Sequence, residues 1–275
     1  MALSDKIAGA GLVRRILSAL VLAPPCLAAV YYGSPCFELM LAFAAAEMAR
    51  EWARLCDGGR SMPAAAILAV GGVAAIGLAS RIGMGEAVLA VVATALVTFV
   101  VVLPRGRTLA TWLAAGAAVV ALPCLAFISL RFATGPGREL CFWLLAAVWA
   151  TDIGAYAVGR TVGGPKLWPR VSPKKTWSGL LGGVVAAGIV GYATSRLLGN
   201  DHALALIVAG FVVAVVSQGG DLAESAVKRH FGVKDAGTLI PGHGGLLDRV
   251  DGLITAAPAL ALALWLLGGD APLWR

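Results

Sequence analysis

The sequence predicts an all-α, polytopic integral membrane protein with about nine transmembrane helices and a polar site on the cytoplasmic side of the membrane. Three observations carry that prediction. The 275-residue chain is 59% hydrophobic and only 13% charged, with a mean hydropathy of +0.85, too apolar for a soluble domain of its size. Its apolar residues fall into runs near the roughly 20 residues that a helix needs to cross the hydrocarbon. Its polar residues concentrate in one block, 225–251, where two Lys, two Arg, two His, three Asp and five Gly stand between strongly apolar stretches.

The expected spans are 16–33, 36–53, 62–80, 85–103, 108–130, 139–159, 177–198, 202–220 and 250–268. The first follows Lys6, Arg14 and Arg15 like a signal peptide. Its Pro24-Pro25 interruption and the lack of a clear A-x-A site predict a retained helix. The second carries Glu38, Glu47 and Arg50 and reads as a span or as an interfacial helix. The seven others are long and apolar. No internal repeat appears, so the chain reads as one integrated membrane domain, with N-terminal helices in 1–135 and a catalytic region in 136–275.

Orientation follows from the cations. With nine spans and the N-terminus inside, 17 of the 22 Lys and Arg fall at cytoplasmic ends and loops, and five (Arg81, Arg131, Arg138, Arg196 and Arg275) fall outside. That asymmetry matches the positive-inside rule and places the polar block in the cytoplasm, at the inner membrane of a bacterial cell. The net charge of +7 fits basic loops drawn to anionic membrane lipids. Nucleic acid is not an expected partner, because neither aromatic platforms nor a basic recognition helix is visible.

Cys26, Cys36, Cys56, Cys124 and Cys141 show no CxxC spacing and read as small apolar fillers. With His202, His230 and His243 as the only histidines, a zinc site is not expected and any metal should be oxygen-ligated. The glycines of 179–191, GLLGGVVAAGIVG, read as close helix packing, since no G-x-x-x-x-G-K-[ST] occurs.

Three polar elements carry the chemistry. At the end of the sixth span, Asp152 in TDIGAYAVGR lies among apolar residues, where an ionised group at mid-bilayer costs at least ~2.5 kcal/mol. The alternative is a structural ion pair with Arg160. Next, GGPKLWPRVSPKKTWSG at 163–179 is barred from continuous helix by Pro165, Pro169 and Pro173. It presents Lys166, Arg170, Lys174 and Lys175 with the hydroxyls of Ser172 and Thr176, either as a topology determinant or as a substrate loop.

In the third element, Asp221, Glu224, Ser225 and Lys228 stand at i, i+3, i+4 and i+7 on one helical face. Asp248 and Asp251 repeat the i, i+3 spacing at the mouth of the last span. If the two helix ends meet, Asp221, Asp248 and Asp251 can converge on a hard cation such as Mg²⁺. Solvated helix-end charges are the alternative. Between them, PGHGG at 241–245 lets the backbone come close to a ligand, and N–H groups around His243, Gly244 and Gly245 could cradle a polyphosphate.

The pattern S-x-x-K-R-x-x-x-x-K-D-x-G-x-x-[LIF]-P-x-H-G-G-x-x-D-R-x-D is filled by Ser225, Lys228, Arg229, Lys234, Asp235, Gly237, Ile240, Pro241, His243, Gly244, Gly245, Asp248, Arg249 and Asp251. It resembles the signature of the phosphatidate cytidylyltransferase, or CDP-diacylglycerol synthase, family. TDIGAYAVGR, SPKKTWSG and QGGDLAES are similar to further family segments, so the detailed resemblance covers 151–252. The N-terminal half resembles the family only in being apolar and multispanning.

The resemblance implies transfer of a cytidylyl group from CTP to phosphatidic acid, with Mg²⁺ as cofactor and a homodimer as the plausible assembly. It assigns Asp221, Asp248 and Asp251 to the metal, which the spacing had already proposed. Lys174, Lys175, Lys228, Arg229, Lys234 and Arg249 would neutralise phosphate charge in the transition state. Asp152, Ser172, Thr176, Ser225, His243, Gly244 and Gly245 would contact substrate. Two other functions remain open on the residues alone. A CDP-alcohol phosphotransferase would need a D-G-x-x-A-R arrangement that is missing, and an ion-coupled transporter would place its acids near the midplane of broken helices.

Overall fold

The computed structural model describes residues 23–133, 135–199, 202–237 and 244–268. Among them are nine helices and one two-stranded sheet. Helix α1 covers residues 23–32. It is followed by α2 (Cys36–Asp57), α3 (Met62–Arg81), α4 (Met84–Val102), a 3-10 turn (Leu103–Arg105), α5 (Arg107–Arg131) and α6 (Gly137–Thr161). Strands β1 (Lys166–Trp168) and β2 (Ser172–Thr176) precede α7 (Trp177–Leu198), α8 (Ala203–His230) and α9 (Leu247–Leu266).

Seven helices, α3 to α9, are long and apolar enough to span a bilayer, and the protein is an all-α integral membrane protein. They coincide with the last seven expected spans. Helix α2 is not among them, because Glu47, Arg50, Glu51 and Arg54 interrupt its apolar run. Of the first expected span, residues 16–22 lie outside the described residues.

The chain divides into two compact units, Met1–Ala121 with Val233–Arg249, and Leu122–Gly232 with Val250–Arg275. Of the polar block, 225–232 and 250–251 fall in the second unit and 233–249 in the first. In the first unit, α2 buries Phe37, Leu41, Ala45, Met48 and Trp52 along one face, the spacing of an amphipathic helix. Trp52 Nε1 donates to the Trp112 carbonyl at 2.9 Å, and Gly116 has no side chain where the indole lies. Arg105 reaches Asp57 at 2.7 Å, and Ser61 bonds both, tying the α2–α3 turn to the 3-10 turn.

In the second unit, glycines set how closely the helices approach. Gly183 lies against the Thr151 carbonyl of α6, and Gly191 and Gly210 bring α7 and α8 backbone to backbone, the small-residue packing expected in membranes. The proline-braced segment before α7 forms an antiparallel hairpin, pairing Lys166 with Thr176 and Trp168 with Ser172. Pro173 is tolerated because a two-stranded sheet has only edge strands. Val171 is buried beneath the turn.

Candidate active site

Helix α8 continues as helix to His230, nearly three turns beyond the expected span. That extension makes the spacing of its polar residues a real stripe. Asp221, Glu224, Ser225 and Lys228 share a face, and α9 presents Asp251 to it. The approach is possible because a Cβ on Gly220 would strike Thr255 and the Asp251 carbonyl, and one on Gly252 would press on Ser217 and Val148. Thr255 Oγ1 also donates to the Val216 carbonyl at 3.0 Å. Small residues beside two of the acids thus hold the acids together.

One carboxylate oxygen from each of Asp221, Glu224 and Asp251 lies within 4.8 Å of the others. At that spacing each pair of charges repels by roughly 3.5 kcal/mol for an effective dielectric of about 20. Two lysines offset part of this. Lys175, from β2, stands 2.5 Å from Asp221, and Lys228 bonds Glu224 at 2.9 Å, one turn along α8. Three acids against two lysines still favour a further cation. A half-buried set of hard oxygens fits Mg²⁺, which takes a few carboxylates and completes its shell with water and phosphate oxygens.

Other expected residues cluster less tightly. Ser225 Oγ is 3.4 Å from Asp221. Asp152 is exposed on α6 and receives a long 3.5 Å contact from Gln218 Nε2. Lys174 and Arg229 are exposed and Ser172 is half-buried. Thr176, expected to meet substrate, is buried, and its hydroxyl caps α7 by accepting from Gly179 N at 3.1 Å. Arg160 bonds Tyr156 Oη at 2.7 Å rather than Asp152.

Asp248 was expected beside Asp221 and Asp251. In the first unit its carboxylate instead receives Ala236 N at 2.9 Å and Gly245 N at 2.8 Å. Glu51 was not singled out at all. It is fully buried near the end of α2, and its two oxygens accept from Leu246 N and Leu247 N, each at 2.8 Å. Leu247 N is a first-turn donor of α9 that the helix itself leaves unmatched, and Leu246 stands just before the helix.

Glu51 lies outside the seven spanning helices, and burial pushes its pKa up, opposed by the bonds from Leu247 and Leu246. Of the backbone cradle expected around His243, Gly244 and Gly245, the Gly245 N–H donates to Asp248, and Leu246 N and Leu247 N beside it donate to Glu51. Gly244 takes a left-handed φ of +85°. Gly245 is buried, and its missing side chain leaves room for Glu51. Lys234 and Arg249 flank this arrangement and are exposed. His243 lies outside the described residues.

An acid among apolar residues was the signal that picked out Asp152, whereas Glu51 stands among Glu47, Arg50 and Arg54 and carried no such signal. Glu224 was visible on the right face but was left out of the expected ligand set.

The described residues thus combine seven helices long and apolar enough to span a membrane with a cluster of three carboxylates and two lysines. The chain belongs to the cytidylyltransferase family, whose family model matches residues 13–267. It is similar to phosphatidate cytidylyltransferase of Brucella suis biovar 1 (strain 1330), with 56% identity over 117 residues, covering 42% of this chain and 43% of that relative. The enzyme of the same name from Staphylococcus saprophyticus is 45% identical over 118 residues, again 42% of this chain and 45% of the relative. The matched stretch thus spans less than half the length of each relative.

Proposed function

We propose that the protein transfers a cytidylyl group from CTP to phosphatidic acid, releasing pyrophosphate and forming CDP-diacylglycerol. The observation that carries this reading is the gathering of Asp221, Glu224 and Asp251 with Lys175 and Lys228, in a chain of the cytidylyltransferase family. In the reaction a phosphate oxygen of phosphatidic acid attacks the α-phosphorus of CTP. A new P–O bond forms, the bond to the bridging α–β oxygen breaks, and pyrophosphate leaves with its electrons.

The attacking phosphate is ionised at neutral pH, so no side chain has to remove a proton. Catalysis then rests on alignment and on neutralising charge as it develops. Asp221, Glu224 and Asp251 would hold Mg²⁺, which when bound supplies Lewis-acid stabilisation of phosphate oxygens. Lys175 and Lys228 hold two of these carboxylates in place and bring positive charge beside them. The family resemblance assigns Lys174, Arg229, Lys234 and Arg249 to substrate phosphates as well. The distribution of Lys and Arg favours a site on the cytoplasmic face, the bacterial relatives favour a bacterial inner membrane, and the family resemblance favours a homodimer.

Sealed inside-out membrane vesicles containing the protein test reaction and orientation together. Externally added CTP should yield pyrophosphate only when phosphatidic acid is present. Release without the lipid, or no release with both substrates, would remove the reading. Release confined to right-side-out vesicles would overturn the orientation.

A further inference from the structure

Glu51 sits far in sequence from the signature, yet both of its oxygens are bound by the signature's own backbone. Leu246 N and Leu247 N each donate to it at 2.8 Å, and its side chain is fully buried. Glycine stands on both flanks of 238–243 where the carboxylate lies. A Cβ on Gly245 would come within 2.5 Å of both Glu51 oxygens, and one on Gly237 would strike the same carboxylate. Neither glycine has a positive φ. Glycine is therefore required there by space, and the space is filled by Glu51.

Asp248 completes the arrangement by receiving Ala236 N from one flank and Gly245 N from the other. Two buried or half-buried acids thus hold backbone at 236 and at 245–247, close in sequence to the exposed Lys234 and Arg249. A charged acceptor is needed because a neutral amide offers a single acceptor oxygen, and its NH₂ would face the second N–H donor. A bond from a backbone N–H to a carboxylate is also stronger than one to a neutral group.

We propose that Glu51 is a positioning residue for the transfer reaction, a remote cap on α9 that fixes the signature segment so that its cations meet substrate phosphate in one geometry. This rests on the proposed cytidylyltransfer. Glu51 itself touches no substrate. Its role follows from the two N–H bonds and the two glycine-lined flanks, all within one compact unit.

The test compares the full-length protein with Glu51→Gln and, separately, Gly245→Ala, which presses a methyl group onto the carboxylate while leaving Glu51 in place. Amide exchange of the peptide spanning Leu246 and Leu247 is read beside kcat and KM for CTP per inserted molecule. In both variants that peptide should exchange at least about tenfold faster while the spanning helices keep their protection. kcat/KM should fall by at least roughly tenfold at similar inserted amounts.

Adding Gly245→Ala to Glu51→Ala should cost little more, because the atoms with which the methyl collides are gone. Unchanged exchange at 246–247 in both single variants, or normal kcat/KM per inserted molecule despite faster exchange, would overturn the proposal. A wild-type protein that never turns over CTP would defeat the transfer reading instead, and the exchange measurement would still decide whether Glu51 is the clamp.

Discussion

In one compact unit, Glu51 and Asp248 turn their oxygens toward backbone N–H groups, whereas in the other Asp221, Glu224 and Asp251 turn theirs toward one another. The residue types are the same and their surroundings decide what they do. An acid that accepts two short N–H bonds is stabilised by the fold and holds backbone in place. Acids gathered within 4.8 Å with only two lysines between them retain mutual repulsion, and a multivalent cation relieves it. The first arrangement holds backbone at 236 and 245–247, and the second gathers negative charge beside two lysines.

The largest effect that could break this comparison is on turnover. Asp221→Asn and Asp251→Asn change shape little and each remove a charge from the gathered set. Each should lower CTP-dependent pyrophosphate release by at least about a thousandfold, some 4 kcal/mol of lost transition-state stabilisation. Near-normal release by either variant at saturating Mg²⁺ would take that residue out of the metal set.

A smaller effect is expected at Lys175, which stands between the hairpin and Asp221. Lys175→Ala should insert normally and turn over at least roughly tenfold more slowly, about 1.4 kcal/mol. Arg160→Ala, which removes an exposed cation bonded to Tyr156, should match the wild type in turnover per inserted molecule. Reduced insertion of Lys175→Ala with normal turnover would mean that the hairpin cations only set topology.

Much of this was legible in the chain because lipid imposes strong rules. The seven long spans follow from apolar length alone, and the prolines at 165, 169 and 173 forbid helix where the hairpin forms. The pairing of Lys166 with Thr176 was not legible, since so short a strand leaves little periodicity to read. The stripe Asp221, Glu224, Ser225 and Lys228 was readable because helical spacing is fixed.

The different use of Asp248 and Asp251 was not readable. Both occupy the start of α9 three residues apart, and only folding brings Ala236 N and Gly245 N to one of them. Glu51 was hidden for the same reason, since its donors lie 195 and 196 positions along the chain. Gly245 was read as a place where backbone approaches a ligand, and the group that approaches it in the fold is the Glu51 carboxylate.

Binding of Mn²⁺ as a stand-in for Mg²⁺, followed by electron paramagnetic resonance on the purified full-length protein without substrate, tests the central claim most directly. The wild type should bind, and Asp251→Asn should bind at least about tenfold more weakly because it removes a charged ligand. Asp248→Asn should stay within about twofold of the wild type, because its carboxylate holds backbone rather than metal. Wild-type affinity in Asp251→Asn, or a loss in Asp248→Asn as large as that expected for Asp251→Asn, would contradict the division of the acids into a clamp and a cation site.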